Sequence, residues 1–418
     1  MKPRVLVSAL ACHPQRGSEA FFGWSAVCAL RERYDLDVLV EENSREALRW
    51  ENEKRPLGFR AHFVGRKRTF HSNRLIARVQ SWVQTFESPG LILAKGAALH
   101  RRRPFDLAHH ITISTWRTPC HLWRLKVPLI WGPIGGGENF PWSCRPVLSP
   151  SAQIFEVARE TSNWISKRSR AVRDTARQAA WILAANQETQ RLLARLRGQA
   201  EGLEIQSPAI FSSSRIAELG KGIDAKPENE PLRIFAGGNL EGRKGVAIAL
   251  RALKIVKKEG IPFIYQLGGD GPERKYLEGL AWRLGLGGQV VFQDSLRGEK
   301  YFNELRQTHI FMLPSLREHT GLTLLEAMLA GCLPVVADAG GPGTFVAPDR
   351  GFKIPLGQPE AMAASFAEVI RIAQRQRHLI RQFGEKAAGF VAANFTEESY
   401  ASKIGSLYEQ VLKKRKQG

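Results

Sequence analysis

The chain has 418 residues, 43% of them hydrophobic, and its 61 Lys and Arg against 40 Asp and Glu leave a net charge of +21. This length supports two cores at roughly 100–200 residues per domain, and no apolar run approaches the roughly 18–20 residues that a membrane-spanning helix needs. Five scattered cysteines (Cys12, Cys28, Cys120, Cys144 and Cys332) form no C-x-x-C pair, which argues against a zinc site or disulfide framework and fits a reducing cytoplasm.

In chain order, the apolar stretch from Val5 to Cys12 runs into a glycine loop and an amphipathic helix from near Ser18. It reads as a first buried strand (3–10) and not as a signal peptide. Further strands are predicted at 35–41, 60–64, 105–111, 127–131 and 180–184, with long helical material at 72–101 and 150–179. The segment from Ser207 to Pro231, rich in Ser and Pro, reads as a linker. After it, strands at 232–238, 289–293, 309–313 and 333–337, with a strand and glycine turn together over 261–272, alternate with helices at 246–257, from that turn through Leu284, at 298–307 and one carrying Glu326. Alternation of this kind predicts parallel sheets with helices on both faces, an α/β class. The domain reading is 1–206, a linker 207–231, a second domain 232–395 and a terminal helix within 396–418.

The charge is uneven. Residues 1–210 hold 32 Lys and Arg against 18 Asp and Glu, and between Lys54 and Arg103 twelve basic residues face one acid, Glu87. Inside that window Leu75, Ile76, Val79, Trp82, Val83 and Phe86 recur at helical spacing, flanked by Arg74 and Arg78. Such a stripe fits an anionic membrane surface, and equally fits packing on its own sheet. A second basic segment, Lys167 to Arg173, follows Trp164 and Ile165. No nucleic-acid recognition motif accompanies the charge, so nucleic acid is not an expected partner.

The densest chemistry lies in residues 314–346. An apolar run, Ile310 to Leu313, ends at Pro314, and a loop carries Arg317, Glu318 and His319 into a helix opening near Thr320 or Gly321. A strand ending in a loop that opens a helix aims free N–H groups and the positive dipole end at an anion. Here His319, Thr320, Gly321 and Leu322 would supply them. Glu318 and Glu326 stand eight positions apart on either side of that point, and carboxylates beside a phosphate site suit uncharged groups such as sugar hydroxyls. Upstream, GGNLEGRKG (237–245) ends a strand with Gly238 and Asn239 and offers Arg243 and Lys244 to a diphosphate; GGDGP (268–272) places Gly269 in a second glycine turn. In the first half, Gly17 allows close backbone approach, Ser18 can cap a helix and Glu19 follows. FDLAHHIT ends a strand with His109 and His110, and WGPIGGGE presents Gly135, Gly136 and Gly137, whose repetition suggests backbone approaching a ligand.

The Glu318-x7-Glu326 stretch, with Thr320-Gly321-Leu322 inside it and Ala327-Met328 after it, resembles the signature of the retaining GT-B glycosyltransferases, glycosyl transferases group 1 of the family 4 type. The resemblance covers residues 5–25, 105–138 and 230–400. It implies two Rossmann-like domains facing a deep cleft, with the terminal helix crossing back to the first. It further implies that Glu326 holds the ribose of a nucleotide sugar, Glu318 lies against the transferred hexose, Lys244 contacts the diphosphate, and a histidine, His110 in preference to His109, stands near the reacting sugar. The chain departs from the family at Asn239, where arginine is usual, and at Gly17-Ser18, where two glycines are commoner. Asp35-Leu36-Asp37 resembles the metal motif of a different glycosyltransferase fold but opens a strand with no context for a metal, so neither metal nor other cofactor is expected.

The function implied is retaining transfer of a hexose from a nucleotide diphosphate sugar to a hydroxyl of a polysaccharide or oligosaccharide precursor. The precursor would be lipid-linked, as on a polyprenyl diphosphate, at the inner face of the plasma membrane. Three other readings stand beside it: a soluble small acceptor, a sugar-nucleotide epimerase, and a non-catalytic scaffold of the same fold.

Overall fold

In the computed structural model, residues 2–66, 74–223, 226 and 231–417 are described, except the side chains of 74–86, 416 and 417. The chain divides into two compact bodies. The first comprises residues up to Gly137, Ser162–Ile210 and the segment from Glu397 onward; the second comprises Glu138–Thr161 and Phe211–Thr396. Residues 138–161, read above as part of the first domain, therefore go with the second.

In chain order the elements up to the last strand of the first sheet are β1 (Arg4–Ala9), α1 (Ser18–Leu30), β2 (Asp35–Glu41), α2 (Arg45–Lys54), β3 (Arg60–Val64), α3 (Arg74–Arg102), β4 (Leu107–Thr112), β5 (Leu129–Ile134), α4 (Pro150–Arg168), of which the part up to Thr161 goes with the second body, α5 (Arg170–Gln178), β6 (Trp181–Ala184), α6 (Gln187–Arg197) and β7 (Leu203–Ile205). Among the described residues the sheet has seven parallel strands in the order β3-β2-β1-β4-β5-β6-β7. Successive side chains of a strand point to opposite faces, and β1 shows the result: Val5, Val7 and Ala9 join one apolar cluster while Leu6 joins another. Burial on both faces explains why β5 and β6 read as continuous apolar runs.

The second body begins with α7 (Ser213–Gly220) and continues with β8 (Leu232–Gly237), α8 (Val246–Lys258), β9 (Phe263–Gly268), α9 (Arg274–Arg283), β10 (Val290–Gln293), α10 (Gly298–Gln307), β11 (Ile310–Leu313), α11 (Leu322–Leu329), β12 (Leu333–Ala337), α12 (Gly340–Phe345), β13 (Phe352–Ile354), α13 (Pro359–Arg375) and α14 (His378–Asn394). Its sheet, again parallel, has six strands among the described residues in the order β10-β9-β8-β11-β12-β13. The segment read as a linker thus contains α7, and Phe211 donates its N–H to the Phe395 carbonyl at 2.7 Å within this body.

The last helix, α15 (Glu397–Gln417), packs in the first body. Tyr400, Ile404, Leu407, Tyr408 and Val411 recur at helical spacing and join the cluster of Val5 and Val7, with Tyr400 edge-on to Phe22 of α1 at 6.0 Å. Asp37 is held by Arg4, Arg60 and His62, and Asp35 by Arg60 and Arg103. The stripe from Leu75 to Phe86, with Arg74 and Arg78, lies outside the described side chains; only the backbone of α3 is given there. Among the described residues no helix is long and apolar enough to cross a membrane.

Candidate functional site

In each sheet the strand order reverses once, between β1 and β4 and between β8 and β11. At such a reversal the loops leaving two adjacent strands diverge and leave a crevice at their carboxyl ends, where open α/β sheets bind ligands. In the second body those loops are 238–245 and 314–321, the segments that carried the sequence motifs.

The two loops are tied to each other. Leu316 donates its N–H to the Arg243 carbonyl at 2.8 Å. Gly245, at φ 65°, heads α8 in a left-handed conformation, and a Cβ there would collide with the Pro314 carbonyl oxygen. Glycine is what permits the approach. Gly340, at φ 55°, plays the same part from α12: a Cβ would strike the Glu318 carbonyl oxygen, while Gly341 donates to that same oxygen at 3.1 Å.

This framework brings three charges together. Glu318 Oε2 accepts from Lys244 Nζ at 2.5 Å and from an Arg243 guanidinium nitrogen at 3.2 Å. Arg243 is fixed further by Glu241 at 2.6 Å and the Arg317 carbonyl at 3.1 Å. Burial pushes the Glu318 carboxyl up, but the Lys244 ammonium and the Arg243 guanidinium outweigh it and pull it down to about 2. Burial likewise opposes the Arg243 charge, and Glu318 and Glu241 reverse that and raise it. Asn239 does not join the cluster; it donates to Glu241 at 2.6 Å. Beside it Gly238 and Gly269 directly follow β8 and β9, with Gly238 donating to the Gly268 carbonyl at 3.0 Å. Residues 236–240, Lys244 and Pro314 also line a small apolar recess.

α11 begins at Leu322 with Gly321 at its cap in the left-handed region. His319, Thr320 and Gly321 lead into it, so its first N–H groups, which have no acceptor within the helix, open beside Glu318. Glu326 is buried one turn in. Its two oxygens accept from Arg215 at 2.5 Å and from the Tyr301 hydroxyl at 2.9 Å. Arg215 in turn lies over the Phe302 ring at 4.0 Å. Burial and the neighbouring Glu326 charge hold the Tyr301 hydroxyl well above its ordinary value, so it stays a donor.

The first body places its residues around the β1–β4 reversal. Ser18 was read as a possible cap, but it is the first helical residue of α1; Gly17, with φ 46°, occupies the cap and has no side chain to offer. Glu19 Oε1 accepts from the Ser114 N–H at 2.6 Å and its hydroxyl at 2.7 Å. Gly135 donates to the Ser114 carbonyl at 3.0 Å, the Gly136 carbonyl accepts from Trp116 at 2.9 Å and Arg117 at 3.0 Å, and Gly137 donates to Thr189 at 3.1 Å.

Both histidines are buried in β4. His109 Nε2–H donates to the Gly132 carbonyl at 2.8 Å, leaving Nδ1 to accept from Tyr408 at 2.7 Å. His110 Nε2–H donates to the Ile113 carbonyl and Nδ1 accepts from Ser8, each at 3.1 Å. Burial lowers them to about 3 and about 4, so both are neutral at pH 7 and each uses both ring nitrogens within the first body.

Arg215, Glu241 and Tyr301 were not singled out from sequence. Arg215 stands 111 positions from its partner Glu326, and no spacing rule links residues that far apart. The AGGPG run (339–343) was the one available signal for the glycines that pack on the Glu318 loop.

Residues 221–387 match the family described as glycosyl transferases group 1. An uncharacterized glycosyltransferase of Methanocaldococcus jannaschii is 32% identical over 115 residues, which is 27% of this chain and 29% of that protein. A putative colanic acid biosynthesis glycosyltransferase, WcaL, of Salmonella typhimurium is 26% identical over 194 residues, 44% of this chain and 47% of the relative. These matches thus span less than half of either relative. Among solved structures, Anabaena HepE in complex with UDP superposes with a TM-score of 0.63 at 17% identity, covering 98% of this chain and 100% of that one. Sucrose-phosphate synthase from Thermosynechococcus elongatus gives 0.64 at 17% identity, covering 98% and 99%.

Proposed function

We propose that this chain, which has the GT-B fold and belongs through residues 221–387 to the group 1 glycosyltransferases, moves a hexose from a nucleotide diphosphate sugar to a saccharide hydroxyl with retention of configuration. The observation that carries the reading is the meeting of Lys244 and Arg243 with Glu318 at the N-terminus of α11, on the β8–β11 reversal. Two cations and a helix N-terminus suit a diphosphate; a carboxylate in the same place suits sugar hydroxyls.

In the proposed reaction the bond from the sugar's anomeric carbon to the diphosphate oxygen breaks and a bond to the acceptor oxygen forms on the same face. The acceptor proton passes to the leaving diphosphate. Lys244, Arg243 and the N–H groups from Thr320 to Leu322 stabilise the charge that develops on that diphosphate, so the proposed chemistry calls on no metal. Glu326 holds the ribose, and Gly238 and Gly269 bring backbone close to the nucleotide. In the first body Gly17, Ser18, Glu19 and Gly135–Gly137 form the acceptor side, with His109 and His110 as neutral groups that fix the end of β4 there. The acceptor class is a polysaccharide or oligosaccharide precursor, lipid-linked at the cytoplasmic membrane face. Relatives named for colanic acid and amylovoran biosynthesis support the polysaccharide part of that reading.

Calorimetric titration with UDP-, GDP-, ADP- and dTDP-sugars tests the donor site, with Glu326→Ala as control. One nucleotide class should bind and be weakened in the variant. Folded protein that binds none of them would leave a non-catalytic scaffold as the better reading.

A further inference from the structure

Helix α4 is turned inside out relative to an ordinary amphipathic helix, in which the apolar stripe faces the core. Beyond Ala152, which packs on the core near the helix start, its inward residues are polar and recur at helical spacing. Glu156 pairs with Arg317 at 2.8 Å, Arg159 donates to the Glu138 carbonyl at 2.8 Å, and Asn163 accepts from Arg117 at 2.8 Å. Its outward residues are apolar: Ile154 is 71% exposed, Phe155 51%, Val157 54%, Trp164 57% and Ile165 59%. Ile154, Val157, Ala158, Thr161, Trp164 and Ile165 lie along one side, each three or four positions from another of the set. Scattered exposed hydrophobics need no explanation, but an apolar stripe on the solvent side of one helix does.

The charge next to the stripe says what covers it. Lys167 and Arg168 end α4, and Arg170 and Arg173 begin α5, with no acid between Trp164 and Arg173. Arg168 lies over the Trp164 ring at 3.7 Å, and Arg173 donates to the Arg168 carbonyl at 2.6 Å. An aromatic side chain carrying a guanidinium on its face, beside further basic residues, matches the boundary of a bilayer, where apolar groups enter the acyl region and cations meet anionic headgroups. A purely electrostatic contact would not require the apolar stripe. A protein partner would have to offer acids for the arginines and a shaped apolar surface, which is the alternative that the self-association arm of the test addresses.

We propose that the outer face of α4, with the start of α5, is a docking surface for an anionic lipid bilayer, inserting Ile154, Val157, Trp164 and Ile165 and seating Lys167, Arg168, Arg170 and Arg173 on headgroup phosphates. This docking needs no nucleotide sugar, so it stands or falls apart from the transferase reading.

The test is co-flotation of the full chain with vesicles of phosphatidylcholine, with and without phosphatidylglycerol, at low and high salt. Wild-type protein should bind the phosphatidylglycerol vesicles. The triple variant Ile154→Ser, Trp164→Ser, Ile165→Ser should lose at least about tenfold in partition at every salt concentration, since each loses inserted apolar surface. Lys167→Gln with Arg168→Gln should lose roughly tenfold or more at low salt and less at high salt, because its contribution is screened. Brominated lipid gives an independent readout: the quenching seen in wild type should fall in Trp164→Phe. Partition unchanged in the folded triple variant, or no loss of quenching in Trp164→Phe, would overturn the proposal. So would failure to float together with concentration-dependent self-association abolished by the same triple variant, which would assign the face to a second copy.

Discussion

Replacing Glu318 by Gln keeps the side chain's volume and removes the charge that Lys244 and Arg243 share, and it separates two consequences that most active-site substitutions confound. The Glu318 carboxyl titrates at about 2 against an ordinary 4.5, burial notwithstanding, because both cations favour its ionised form. At about 1.4 kcal/mol per pH unit this amounts to roughly 3 kcal/mol. A diphosphate that takes up Lys244 and Arg243 forfeits part of that energy and must also lie beside a buried carboxylate. If half is recovered in Glu318→Gln, nucleoside diphosphate should bind about tenfold more tightly, by about 1.4 kcal/mol. Sugar transfer should nevertheless fall by roughly two to three orders of magnitude, the usual effect of losing a group that acts on the transition state.

The assay is calorimetric titration of both proteins with whichever of UDP, GDP, ADP or dTDP binds wild type, followed by turnover. The sign of the pH dependence follows from the depressed carboxyl. Its stabilisation is present above the unfolded value near 4.5 and is lost as pH falls toward about 2. Between pH 6 and pH 9 (about neutral, far above that window) the affinity difference should therefore be flat. Diphosphate affinity that is unchanged or weaker in folded Glu318→Gln would mean the phosphates do not reach this cation pair, and the donor site would have to be moved.

Three further outcomes are expected. Arg215→Ala should raise the dissociation constant for the nucleotide sugar about tenfold and Tyr301→Phe a few-fold, because each leaves an oxygen of the buried Glu326 without its donor; calorimetry with the paired nucleoside diphosphate checks it. Gly245→Ala should destabilise the second body by about 2–4 kcal/mol, combining a left-handed φ with a clash against Pro314; urea unfolding measures it. His109 and His110 are held neutral at about 3 and about 4 against 6.5 unfolded, so their stabilisation is present above pH 6.5 and is lost as pH falls below it. At pH 5 each should account for about 2 kcal/mol of lost stability, and His109→Gln should show a smaller drop in unfolding midpoint between pH 7 and pH 5 than wild type.

What could be read from the sequence and what could not divide along a physical line. β12 (Leu333–Ala337) falls where apolar patterning put it, because a strand buried on both faces of a parallel sheet is apolar throughout; β2 and β3 (Asp35–Glu41 and Arg60–Val64) also keep their predicted bounds, although β3 is an edge strand only partly buried. The short β7 and β13, of three residues each, hold too few side chains to show a pattern. Residues 207–231 read as a linker through their Ser and Pro content, yet they contain α7, whose position is secured by Arg215 on Glu326 and by Arg306 on Glu218. Those pairs are tertiary, and local composition carries no trace of them. Within the site, Gly245, Lys244 and Glu318 were legible because each belongs to a strand-end loop with its own local signature. Their mutual geometry was not, since it depends on β8 and β11 being neighbours although residues 238–309 separate them in the chain.

Helix α4 presents the converse case. Its sequence separates apolar from polar positions at helical spacing, and the ordinary rule would turn Ile154, Val157, Trp164 and Ile165 inward. The structure turns them outward because the opposite face carries Glu156, Arg159 and Asn163, each of which finds a charged or hydrogen-bonding partner on the protein. Leaving a buried carboxylate or guanidinium unpaired costs several kcal/mol, more than exposing a valine or isoleucine. Periodicity therefore fixes which residues share a face, and the partners available on the rest of the protein decide which face is buried. A helix whose polar side is claimed by such partners is left with its apolar side exposed, which is the surface proposed above to meet lipid.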